Sequence, residues 1–246
     1  MREEKAYKLL SLQEGISNRK AKELIDKGVV YALGKRVGIA RALMDVGTTF
    51  KLEKIQKPSL IYESDDFLVL DKPALVLSED LEKEFGYPLL HRLDKETSGV
   101  LVLAKNEDLR LKAIEEFKKM RVEKIYYAIV YGKMAEELEI NSPILTTKTK
   151  NGAVSKLSQR GKEAISLVSP IMIEGKYTFV KVAIKTGRTH QIRVHLQSIG
   201  HPVLGDLKYS NHKANRMMLH SFSMVLMGQN FQAPLPSIFR KYGFSL

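Results

Sequence analysis

Residues 91–105 read HRLDKETSGVLVLAK. The string splits into a charged turn and an apolar run over 99–104, which predicts a strand entered from a polar corner. Asp94 stands at the mouth of that strand, between Arg92 and Lys95. Neighbouring cations hold such a carboxylate ionised. An ionised carboxylate can attack a sugar carbon or stabilise a cationic sugar, as in glycoside cleavage. Thr97, Ser98 and Gly99 suit the turn that presents it. Read alone, an aspartate in a charged loop more often pairs with arginine and caps a turn.

Working outward, Ile61-Tyr62 and Phe67–Leu70 precede this strand, and strands follow over 124–131, 163–169 and 178–185. A helix is predicted from Glu107 to Met120, with Leu111, Ile114 and Phe117 as its apolar side. A second spans about 189–199, with Ile192, Leu196 and Ile199 as its stripe and Gly200 closing it. Strands outnumber helices without regular βαβ alternation. The expectation for 58–246 is therefore α+β, a mostly antiparallel central sheet with flanking helices.

Residues 1–54 form a separate small α+β pattern, joined through the linker KIQKP (54–58). Ser17 or Asn18 caps a helix carrying Ala21, Leu24 and Ile25, and Gly28 ends it. Its other face holds Arg19, Lys20, Lys22 and Lys27. Val29–Tyr31 and Thr48–Leu52 read as strands, with a turn near Gly34-Lys35 and Arg36 just after it. A basic helix beside a hairpin can grip phosphates without reading bases. A solvated helix face accounts for the pattern equally well.

The 246 residues carry a net charge of +12, unevenly spread. Residues 1–57 are net +6, 58–140 net −6 and 141–220 net +10. Two basic blocks around an acidic one suggest a polyanion held by two surfaces. No apolar run reaches the roughly 20 residues of a spanning helix, and the charged start MREEKAYKLL argues against a secretory signal. The absence of cysteine fits a reducing compartment. A cytoplasmic monomer without membrane contact is the expectation. His190 and His195 invite a metal reading, but a five-residue step puts them on different helix faces, so none is expected.

HRLDKETSG followed by GVLVLAK resembles, without a gap, the signature of RluA-type pseudouridine synthases. Asp71-Lys72-Pro73, Lys124-Ile125-Tyr126-Tyr127-Ala128, residues 185–209 and Leu219-His220-Ser221 match in the same order, so the resemblance covers about 58–237. Ala74-Leu75 departs from the family's Pro-Ala-Gly or Pro-Gly. The resemblance implies that Asp94 is the catalytic aspartate, that Arg92 fills the space of a flipped-out uridine, and that Tyr126 stacks on the base. Arg193 would face the cleft and hold Asp94, through a bidentate pair. Lys72, His91, Arg188, His190 and Gln191 are implied as substrate-binding, Arg188 towards phosphate. Residues 5–53 resemble the small RNA-binding module of ribosomal protein S-four, with Tyr31-Ala32-Leu33 departing before the turn glycine. Lys35 and Arg36 join the helix cations as its RNA contacts.

The implied reaction turns uridine in RNA into pseudouridine by an isomerisation, which needs no cofactor. Ribosomal RNA is the favoured substrate and transfer RNA the alternative. An inactive RNA-binding protein would keep the charge pattern but not all of Asp94, Tyr126 and Arg193. A glycoside hydrolase needs two carboxylates at the bond, and Asp94 alone stands in a motif. A tRNA synthetase fragment would need a nucleotide-binding signature, and none is read here. An RNA-binding reading predicts retention on heparin at low salt and release as salt rises. Flow-through at low salt would contradict it.

Overall fold

The structure, a computed structural model, describes residues 2–149 and 152–245. Residues 1 and 246, the outer ends of the two expected domains, lie outside the described residues, as do 150 and 151. The chain divides into two units, Met1–Lys57 and Pro58–Leu246. Among the described residues no helix is long and apolar enough to cross a membrane.

The first unit runs β1 (Glu3–Lys5), α1 (Ala6–Glu14), α2 (Asn18–Lys27), β2 (Val30–Ala32), β3 (Lys35–Arg36), β4 (Leu43–Asp45) and β5 (Phe50–Leu52). Ser17 caps α2 by accepting from the Lys20 N–H at 3.1 Å, and Gly28, at φ 76°, ends it. Ala21 and Ile25 are buried. α1 was not expected, because its start carries no side-chain cap. β3, β2 and β5 form one small sheet and β1 pairs with β4. Leu33 and Gly34 turn from β2 into β3 at φ 51° and 72°, so a leucine occupies a left-handed position that suits asparagine or glycine.

The second unit opens with β6 (Ser59–Glu63), β7 (Phe67–Lys72), α3 (Ser78–Phe85), β8 (Ser98–Ala104), α4 (Glu107–Lys118) and β9 (Glu123–Tyr131). It continues with β10 (Leu138–Asn141), β11 (Ile144–Thr149), β12 (Gly152–Leu157), β13 (Ile165–Glu174) and β14 (Tyr177–Ile184). α5 (Gln191–Ser198), β15 (Leu219–Leu226) and β16 (Gln229–Gln232) complete it, before a 3-10 turn at Ser237–Tyr242. Among the described residues nine strands make one sheet in the order β10-β13-β14-β9-β15-β8-β7-β6, with β16 beside β15. Every pairing in it is antiparallel except β15 on β8. β11 and β12 form a separate hairpin.

Alternation along the strands divides two cores. Leu68, Leu70, Leu101 and Leu103 face one core with Ile192 and Leu196 of α5. Phe67, Val69, Val100 and Val102 face the other with Leu109 and Ala113 of α4. Both faces of β7 and β8 are covered, which is why they read as unbroken apolar runs. The buried stripe of α4 is therefore Leu109 and Ala113, with half-buried Phe117 against it. The expected Leu111 is 54% exposed. The expected helix over 189–199 runs from Gln191 to Ser198: His190 takes φ 56° and stands before its first turn, and Ile199 caps its end. α3 and the β11–β12 hairpin were not foreseen; α3 starts from Leu77 without a side-chain cap.

Gly99 shows why the turn motif ends in glycine. It sits at φ 112° where β8 meets β15, and a Cβ there would lie 2.0 Å from the Ser221 carbonyl oxygen. Gly99→Ala forces backbone apart and strains φ, so it is expected to cost at least about 2 kcal/mol. An unchanged urea midpoint would contradict this.

Candidate active site

Asp94 is presented by a loop braced from several sides. Leu93 donates its N–H to Ser78 Oγ at 3.1 Å, and Ser78 Oγ–H donates back to the Leu93 carbonyl. The Thr97 N–H closes the turn on the Asp94 carbonyl at 3.0 Å. The Lys95 carbonyl accepts from the Leu75 N–H at 2.7 Å and from Lys72 Nζ at 3.3 Å. Leu75, at φ 71°, takes a left-handed conformation that glycine adopts more readily.

The centre of the site is Arg193, on the first turn of α5. Its Nη1 donates to Asp94 Oδ2 at 2.8 Å. Its Nε and Nη2 donate to the two oxygens of Asp206 at 2.7 and 2.8 Å. The expected bidentate pair is therefore made with Asp206, and Asp94 is held by one bond. Only one fork of a guanidinium can meet a carboxylate side-on in this geometry, and Asp206 occupies it. Side-chain exposure falls from 23% for Asp94 to 4% for Arg193 and 0% for Asp206, so the Arg193–Asp206 pair is buried behind Asp94. Burial alone would lower the Arg193 pKa. Asp206 foremost and then Asp94 more than offset this and hold it above the ordinary arginine value. Burial likewise works against the Asp206 charge, but Arg193 and the N–H groups of Lys208 and Tyr209 hold its pKa below the usual carboxylate value.

Tyr126 lies on β9 beside Asp94, buried, with its pKa pushed up to about 12 chiefly by burial. Tyr127 turns to the opposite side of the strand and packs on Phe179 and Phe222. Arg92 is largely exposed and pairs with Glu79 at 3.1 Å. Arg188 borders the site and donates from Nε to the Glu163 carbonyl at 2.8 Å. His190 Nε2 stands 3.9 Å from Asp94 Oδ2. These residues surround a pocket that opens into a cleft of about 1120 Å³. The cleft exceeds the roughly 300–1,000 Å³ of ordinary small-ligand pockets. Arg92, Lys124, Lys148, Lys185, Arg188 and Lys208 border it, which suits an anionic polymer.

Three expected substrate contacts spend their polar groups within the protein. Lys72 is fully buried and donates to the carbonyls of Pro73, Val76 and Lys95, which uses its three donors. Burial pulls its pKa down to about 7. Gln191 is buried and spends its amide on Thr186, the Arg188 N–H, the Ile165 carbonyl and Ser166. His91 edges the cleft, but its Nε2 accepts from the Val102 N–H at 3.2 Å, and burial pushes its pKa down to about 3. All three are better read as supports of the loops around Asp94. His195, with Nε2 donating to the Ser142 carbonyl and Nδ1 on Ser166, is structural too.

Of the cations in the first unit, Arg19 and Lys20 are exposed beside Glu23, and Lys27 and Lys35 face solvent. Lys22 lies over the Tyr7 ring and Arg36 bonds the Tyr31 hydroxyl.

Sequence reading missed Asp206 as a site residue. Its one signal was its place inside the matched segment 185–209, since nothing in the spacing says that residue 206 meets residue 193.

A sheet carrying a buried arginine-held aspartate beside a tyrosine, at the edge of a basic cleft, defines an enzyme that acts on a polyanion. The comparisons name the class. A family model described as RNA pseudouridylate synthase matches residues 66–198. An uncharacterized RNA pseudouridine synthase of Helicobacter pylori strain J99 is 51% identical over 240 residues, covering 96% of this chain and 99% of its own. The ribosomal large subunit pseudouridine synthase C of Rickettsia bellii is 34% identical, over 77% of this chain and 72% of its own. The structure of human RNA pseudouridylate synthase domain containing 1 superposes with a TM-score of 0.62 at 29% identity, over 77% and 87% of the two chains. The chain belongs to the RNA pseudouridylate synthase family and is an isomerase.

Breaking a buried ion pair strands the other charge, at a cost of about 3–5 kcal/mol. Asp206→Ala is expected to lower unfolding stability by that order. Arg193→Lys keeps the charge but loses the fork and should fall close to it. A loss below about 1 kcal/mol in urea titrations of both variants would contradict the bridging role.

Proposed function

We propose that this protein isomerises particular uridines of large-subunit ribosomal RNA, with Asp94 as the catalytic residue. The observation that carries the reading is the Asp94 carboxylate, held by Arg193 at 2.8 Å beside buried Tyr126 at the mouth of a basic cleft. In this reaction the N1–C1′ bond breaks, the base turns, and C5 bonds to C1′. The C5 proton leaves and N1 gains one, so the composition is unchanged. Asp94 acts either as nucleophile at C1′ or as the base that removes a sugar proton. Arg193 holds the carboxylate in place, and Tyr126 offers a flat apolar face to the base.

The target must leave its stack, which costs a few kcal/mol. Arg92, exposed at the rim with a long side chain, fills the gap. Arg188 and the other cleft cations take the flanking phosphates. The exposed cations of the first unit, Arg19, Lys20, Lys27 and Lys35, add a second phosphate-binding surface, in keeping with the ribosomal protein S-four resemblance. Lys22 and Arg36 brace that surface from their tyrosines. The choice of ribosomal over transfer RNA is supported by the relatives of Rickettsia bellii and Pasteurella multocida, named as large-subunit synthases C and D.

Asp94→Asn, assayed on total RNA, should lose conversion by more than about a thousandfold while stability changes little. Wild-type conversion in this variant would remove the assignment. Mapping pseudouridine in all cellular RNAs with and without the gene tests the substrate. Sites lost from transfer RNA alone would replace the ribosomal reading.

A further inference from the structure

Tyr209 gathers the parts of the site. Its backbone N–H donates to Asp206 Oδ1 at 3.1 Å, and the Arg193 guanidinium lies 5.1 Å from its ring centroid. Its phenol oxygen accepts from the Ser155 N–H at 2.8 Å and bonds His190 Nδ1 at 2.7 Å. Ser155 belongs to β12, and its hydroxyl also donates to the Thr189 carbonyl at 2.8 Å. The hairpin, the His190 loop and the buried ion pair thus meet on one side chain.

The bond to His190 has a direction. The Ser155 N–H can only donate, so it uses one lone pair of the phenol oxygen. In one arrangement the phenol hydrogen goes to Nδ1, and the ring hydrogen sits on Nε2. In the other, Nδ1–H donates to the phenol, and a bare Nε2 lone pair faces Asp94 Oδ2 at 3.9 Å. The second sets a lone pair against a carboxylate and strips the phenol hydrogen of its partner. The first turns the positive edge of the imidazole towards the negative charge. The charged groups around His190 are Asp94, Arg193, Lys208 and Asp206, and burial keeps its pKa below the ordinary histidine value, against the pull of Asp94.

We infer that Tyr209 is a positioning residue that fixes His190 as the Nε2–H tautomer, so that the ring presents a second N–H to Asp94 beside Arg193. Both groups address Oδ2, which leaves Oδ1 as the oxygen offered to the nucleotide. The 3.9 Å separation is a charge–dipole contact that a small shift of the carboxylate during reaction converts into a hydrogen bond. The left-handed backbone of His190 is a strain that this placement explains.

The inference rests on Asp94 being the catalytic residue, but the tautomer is read without turnover. In the full chain labelled with ¹⁵N-histidine, long-range ¹H–¹⁵N correlations should show the His190 hydrogen on Nε2. Tyr209→Phe should lose that single tautomer and lower kcat about tenfold, with KM within about threefold. Two further variants separate donor from backbone. His190→Asn suits the left-handed position better, whereas His190→Gln reaches Asp94 with an N–H. Gln should keep at least about tenfold more kcat than Asn. An Nδ1–H ring in the wild type, a wild-type tautomer in Tyr209→Phe, or Asn outperforming Gln would each overturn the inference. A wild-type rate in Asp94→Asn would instead remove the reading it rests on.

Discussion

Everything at this site hangs on one guanidinium placed between two carboxylates. Arg193 gives its side-on fork to Asp206 and one Nη1–H to Asp94. A buried cation with a single acid partner could drift towards it or away. With Asp206 fixed by two bonds and by the N–H groups of Lys208 and Tyr209, Arg193 has one position. Asp94 therefore meets a preorganised donor.

The rest of the second unit serves that placement from the other direction. α5 is anchored to the sheet by Ile192 and Leu196, which sets the height of Arg193. The Asp94 loop is anchored by Ser78, Lys72 and Leu75, and by the close crossing of β8 and β15 at Gly99. A shift of either anchor by an ångström would lengthen the 2.8 Å bond beyond hydrogen-bond range. Lys72, His91 and Gln191 matter in this sense. Each spends its polar groups on backbone around the site.

Legibility in the sequence followed the reach of the forces concerned. Strands β7, β8, β9 and β14 were readable because burial on one or both faces writes a short-range pattern of apolar residues. α2 was readable because its cap and its terminal glycine are local devices. α1 and α3, which lack side-chain caps, were not. α4 was found with Phe117 on its core side, but Leu111 was misplaced, since it is as apolar as Leu109 and packing alone chose between them.

By itself the sequence determined the α+β class, the two basic blocks and the motif in which Asp94 stands. Each of these is carried by a contiguous string or by composition. Tertiary structure decided which carboxylate takes the arginine fork, which of the motif's polar residues face the cleft, and where Tyr209 stands. Those outcomes depend on contacts between residues far apart in the chain, such as 94 with 193, and on which donors burial has already spent. Burial requires each polar group to find a partner, but only the folded chain determines which one is near.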